Sequence, residues 1–176
     1  MGDTSSFKWS QAMPILGVLE RLDGADLNPS AFTIACASAG WSSPHYDGVA
    51  LWAATHPLAD LPLILDTVTK PTTLLYLLDG HDDYEPEALL EGELRHRFDA
   101  NFLEAEAGVR ARFPELLESG TYDPPHNWRY SHFKGVNSRI ALEQSFYDPV
   151  MGVQLLLLLQ PLSSAASRIG PVSAKW

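Results

Sequence analysis

Cysteine is almost absent from this chain of 176 residues: Cys36 is the only one. A single thiol cannot close an internal disulfide, so nothing ties the protein to an oxidising compartment. Basic residues are scarce too, 12 Lys and Arg against 22 Asp and Glu, giving a formal net charge of −10. That surplus repels nucleic-acid phosphate, and no nucleic-acid partner is expected. No apolar run approaches the ~20 residues of a membrane-spanning helix. The N-terminus also lacks the basic-then-apolar order of a secretory signal. A cytoplasmic protein without a membrane segment is the expectation. Equally missing are the glycine-rich and Lys-Ser/Thr loops that cradle phosphates and the Gly-x-Ser-x-Gly elbow that exposes a nucleophilic serine. No metal-ligand spacing is matched, so neither metal nor cofactor is expected.

What remains is a globular composition, 45% apolar and 19% charged. It fits a single α+β domain over residues 1–160. Residues 161–176 are rich in Ser and Ala and read as an extended C-terminal arm. The charge is unevenly placed. Residues 79–107 hold ten carboxylates against Arg95 and Arg97, a net of −8, whereas residues 108–176 hold five acids and seven bases.

The organising stretch is Thr72–Leu117. Two β-branched threonines and the apolar run Leu74–Leu78 predict a buried strand over 72–78, ended by Asp79-Gly80. Pro86 suits a first helical position. Leu90, Leu94, Phe98, Phe102, Ala105, Val109 and Phe113 then recur three and four apart. Their spacing predicts one long amphipathic helix over 86–113, acidic on its outer side, with Gly108 as a kink or break.

Elsewhere Phe7–Leu22 reads as helix or strand, since Pro14 and Gly17 interrupt its apolar spacing. Asn28-Pro29 reads as a turn, followed by a buried strand over 31–37 with Cys36 as a small buried hydrophobe. Val49–Thr55 reads as a strand or helical turn, and Asp60–Val68 as a helix opened by Pro62. Ser119–Lys134 is a turn-rich, aromatic loop. Alternation over Arg139–Phe146, a turn at Asp148–Gly152 and the return Val153–Gln160 predict a hairpin. Its second strand, apolar on both faces, is expected to be central and to lie beside 72–78. The sheet is expected to be mixed or antiparallel, containing 31–37, 72–78, 139–146 and 153–160 under the 86–113 helix.

Three functional readings follow. The first is a non-enzymatic protein-binding protein, of inhibitor or immunity type, meeting a basic partner. Glu87, Glu91, Glu93 and Asp99 would supply its negative face, and Trp128, Arg129 and Tyr130 its anchors. The second is a structural subunit of a homo-oligomer or larger assembly, such as a virion or secretion machine, in which the C-terminal arm clasps a neighbour. The third is a metal-dependent hydrolase. Asp79, His81, Asp82 and Asp83 follow a buried strand, where functional loops often lie, and would have to meet His126 and His132. Ser42, Ser43 and His45 resemble hydrolase residues in type alone, and a surface turn is the simpler reading. His56 reads as a hydrogen-bonded histidine of the core, and His96 as a partly exposed helix residue.

Overall fold

The computed structural model describes residues 8–48, 51–81, 92–122, 124, 126–148 and 152–162. Among them lie three helices and an eight-stranded antiparallel sheet, an α+β arrangement. The candidate residues Glu87, Glu91, Asp82 and Asp83, the start of the expected 86–113 helix, and arm residues 163–176 fall outside the described residues.

The N-terminal element is helical. Helix α1 spans Trp9–Asp23 and buries Ala12, Ile15, Leu16, Val18, Leu19 and Leu22. Pro14 sits inside it and provides no N–H, while its carbonyl accepts the Trp41 indole N–H at 3.2 Å. The 31–37 segment is not a strand but the body of α2, Pro29–Ser38. Here Asn28-Pro29 is a helix start rather than a turn. The Asn28 side chain accepts the Ala31 N–H at 2.9 Å, and Pro29 takes a first-turn position. Burial falls on Phe32, Ala35 and Cys36, three and one residues apart, as one helix side requires.

The first four strands are β1 (His45–Tyr46), β2 (Leu51–Ala54), β3 (Leu63–Asp66) and β4 (Thr73–His81). The helix expected over 60–68 is therefore wrong. Leu63 and Leu65 are buried while Ile64 and Asp66 are partly exposed, so the period is two and not 3.6. Strand β4 contains 72–78 almost entirely and does not stop at Asp79-Gly80. A register shift between Leu77 and Asp79 lets it continue to His81.

Helix α3 runs unbroken from Glu93 to Arg112 and buries Phe98, Phe102, Ala105 and Val109. Over this described length the helix is balanced in charge, Glu93, Asp99, Glu104 and Glu106 being matched by Arg95, Arg97, Arg110 and Arg112, while Glu87 and Glu91 of the expected acidic face lie outside the described residues. Gly108 is not a break. A β-carbon there would lie 2.0 Å from the Trp9 ring, so the glycine is where α1 and α3 touch.

The remaining strands are β5 (Leu116–Thr121), β6 (Arg129–Lys134), β7 (Ser138–Asp148) and β8 (Gly152–Pro161). Two of these, β5 and β6, come from the stretch read as loop. The β7–β8 hairpin is as expected, and β8 pairs with β4 at the centre of the sheet. Strand order is β1-β2-β3-β4-β8-β7-β6-β5. It amounts to two four-stranded meanders, each entered from a helix and joined through their last strands.

Val153, Leu155, Leu157 and Leu159 face the helices with Ile140, Leu142 and Phe133 in the main core. Their neighbours alternate to the far face. There Ala141, Leu156 and Leu158 form a second, smaller apolar cluster with Leu75 and Leu77 packed on it. Among the described residues no helix is long and apolar enough to cross a membrane.

Candidate functional site

Two polar clusters stand out, one on each face of the β5–β7 region. The first joins the N-terminal half of α3 to the aromatic loop. Arg95 donates through Nε to Asp99 Oδ2 at 3.0 Å, and through Nη1 and Nη2 to the carbonyls of His126 (2.6 Å) and Asn127 (3.1 Å). Its guanidinium also lies over the Trp128 ring, 4.8 Å from the centroid. Trp128 is buried, edge-on to Phe98 and stacked on His126. Asn127, at φ 49°, takes the left-handed turn conformation that Asn tolerates.

Beneath them Gln144, fully buried on β7, donates to Asp99 Oδ1 at 3.0 Å and to the Phe98 carbonyl. It also accepts the Arg129 N–H at 2.9 Å. Arg129 Nε approaches Asp99 Oδ1 at 3.5 Å. The structure brings Asp99, Trp128 and Arg129 together, a convergence the sequence reading did not supply. It does so by tying them to one another, with Trp128 in the core rather than at the surface. Glu93 is exposed in the first turn of α3. Tyr130 belongs elsewhere, on the far face.

The second cluster was not anticipated. His132, buried on β6, has Nδ1 2.8 Å from Glu118 Oε1 on β5 and Nε2 2.8 Å from Glu143 Oε1 on β7. Register explains the convergence: Glu118 is the direct cross-strand partner of His132, and Glu143 sits two residues from its partner Ala141. Tyr130 lies 5.1 Å from the His132 ring and stacks on Tyr122 at 4.7 Å. The Tyr122 hydroxyl is buried beside Glu143 without a well-formed hydrogen bond; burial first, then the negative charge of Glu143, pushes its pKa up.

Asp82 and Asp83 of the metal reading lie outside the described residues, and its described members are engaged elsewhere. His132 has both ring nitrogens on glutamates, His126 is stacked on Trp128, and Asp79 accepts from Asn101 on α3 at 2.7 Å. His81 is the last residue of β4 and pairs with Val153. Among the described residues no group of three or more His, Cys, Asp and Glu side chains is placed to hold a metal ion.

The other reactive candidates have structural partners. Burial pushes the Cys36 thiol up to about 12, which keeps it protonated and unreactive at neutral pH. Ser42 Oγ accepts the Thr55 N–H at 2.9 Å, pinning the loop beside β2. His56 Nδ1 accepts the Leu58 N–H at 3.1 Å, and its ring lies 5.2 Å from Trp41.

Comparison with protein-family models, with curated proteins and with solved structures gives no match.

The signal for the second cluster was in the sequence only as alternation. Glu143 and Ala141 share a strand face, as do Tyr130 and His132, but pairing two strands from the supposed loop with β7 requires the register. No local pattern supplies that.

Proposed function

We propose that this chain is a non-enzymatic protein-binding protein of inhibitor type that presents acidic chain between β4 and α3 to a basic partner. The supporting observation is where unbalanced charge lies. Asp79, Asp82, Asp83, Glu85, Glu87 and Glu91 occur with no Lys or Arg among them. The carboxylates of α3 are balanced by arginines, and several are spent internally. Asp99 pairs with Arg95, and Glu106 accepts from Ser131 (2.7 Å) and Arg110 (3.1 Å). The sequence therefore leaves its unbalanced negative charge on Asp82, Asp83, Glu85, Glu87 and Glu91, continued by exposed Glu93, and that charge is what would steer a basic partner. Asp99, Trp128 and Arg129 would serve by fixing the start of α3, through Arg95 and the contact of Arg129 with Asp99. The single buried cysteine suits a reducing compartment, and we place the protein in the cytoplasm.

The test is native mass spectrometry of the protein purified from its own cells, beside a variant carrying Glu87→Lys, Glu91→Lys and Glu93→Lys. A stoichiometric basic protein should accompany the parent at low salt, leave as salt rises, and be missing from the variant. A ring of identical subunits would support the assembly reading instead. A bound metal without a partner would return the enzyme.

A further inference from the structure

We infer that His132 is a pH-operated latch that fastens the edge strand β5 to the sheet. The observation is the placement of both ring nitrogens, Nδ1 on Glu118 and Nε2 on Glu143, each at 2.8 Å. A neutral imidazole has one N–H and one lone pair, so it can donate to only one of the two carboxylates. The imidazolium donates to both, and these are charge-assisted bonds. The geometry matches the charged ring.

The two glutamates are not equivalent. The Glu143 side chain is 8% exposed and that of Glu118 is 58% exposed. When the ring loses a proton, the buried Glu143 carboxylate keeps the remaining N–H, because an unpaired buried charge is costly. Glu118 then faces a lone pair and turns to water at little cost. The released contact is the one that reaches β5.

Beyond its backbone ladder with β6, that strand has few side-chain holds among the described residues. Only Leu116 packs into the core, the residues after it are exposed, and its ladder with β6 shifts register between Leu116 and Glu118. The nearby Lys134–Glu115 pair is exposed on both sides and adds little. The stack of Tyr122 on Tyr130 anchors its far end. Charged and titratable neighbours among the described residues are Glu118 on β5, Tyr122 just beyond it, Tyr130 and Lys134 on β6, and Glu143 and Arg139 on β7. From β8 come the uncharged Leu156, Leu158 and Gln160, the last accepting from Arg139 at 2.6 Å. The latch is closed with His132 protonated and opens as pH rises through its titration.

Hydrogen–deuterium exchange of the full chain, corrected for intrinsic rates, tests this alongside imidazole nitrogen chemical shifts. Protection over 116–121, measured relative to β7, should fall by about fivefold as His132 loses its proton, the scale of a half-exposed ion pair. In Glu118→Gln, an exposed and fold-neutral change, that protection should be low throughout and show no step. Equal β5 protection on both sides of the titration would overturn the latch. So would an undiminished step in Glu118→Gln, or a His132 that never titrates while the protein is folded.

Discussion

Single side chains set tolerances here that no composition argument reveals. Gly108 is the clearest. A methyl at that position would meet the Trp9 indole at 2.0 Å and force α1 and α3 apart. Gly108→Ala should cost about 1–3 kcal/mol, the usual range for overpacking, despite alanine's better helix propensity. Urea unfolding would read this directly, and an unchanged or raised midpoint would refute the contact. Asp23 behaves similarly at the end of α1. Its carboxylate accepts the Val136 N–H at 2.7 Å, and a β-carbon on Gly135 would strike it at 2.1 Å.

Cys36 makes a pH prediction. Burial holds its thiol up to about 12 in the folded protein, against an ordinary value of 9.0. Above pH 9 the unfolded chain sheds that proton while the folded chain keeps it, so the unfolded state binds fewer protons and stability falls with rising pH. Between pH 9 and 11 the parent should lose stability more steeply than Cys36→Ala, as parallel denaturant titrations would show.

At the scale of elements, the sequence was legible where one local signal was sufficient. The β7–β8 hairpin carried alternation and an apolar return strand, and the pairing of the two strands agrees with the structure, while residues 149–151 of the expected turn lie outside the described residues. Helix α3 carried a stripe of spacing three and four, and its buried residues are those of the stripe. Misreadings came from short apolar runs, whose periods cannot separate helix from strand. The run in α2 was decided by the Asn28 cap, and β3 by pairing with β2 and β4.

The tie between α3 and the aromatic loop rests on Arg95, whose fork serves a carboxylate and two carbonyls at once. A lysine cannot bridge that geometry. Arg95→Lys should therefore destabilise the protein by about 1–3 kcal/mol, the range for hydrogen bonds to a charged group. Its Trp128 fluorescence should also shift as the guanidinium over the indole is lost. Full stability in the lysine variant would show that the fork is dispensable.

For the whole molecule, the two meanders share one sheet and one core. Residues of both, from Leu63 and Leu74 to Phe133 and Ile140, belong to a single buried cluster with the helices. The β4·β8 seam runs through its middle. Thermal unfolding should accordingly be one transition with equal calorimetric and van't Hoff enthalpies; two separable transitions would mean that the halves fold independently.

The sequence by itself determined the composition class, the lone thiol, the uneven placement of charge, the central hairpin and the buried stripe of α3. These follow from identities and short periods along the chain. Only the tertiary structure decided the mirrored strand order, the neutral balance of α3 and the Glu118–His132–Glu143 cluster. Each depends on which residues of distant segments come to lie opposite one another. Cross-strand register is a property of the assembled sheet, fixed by the burial of many side chains together rather than by any one stretch of sequence.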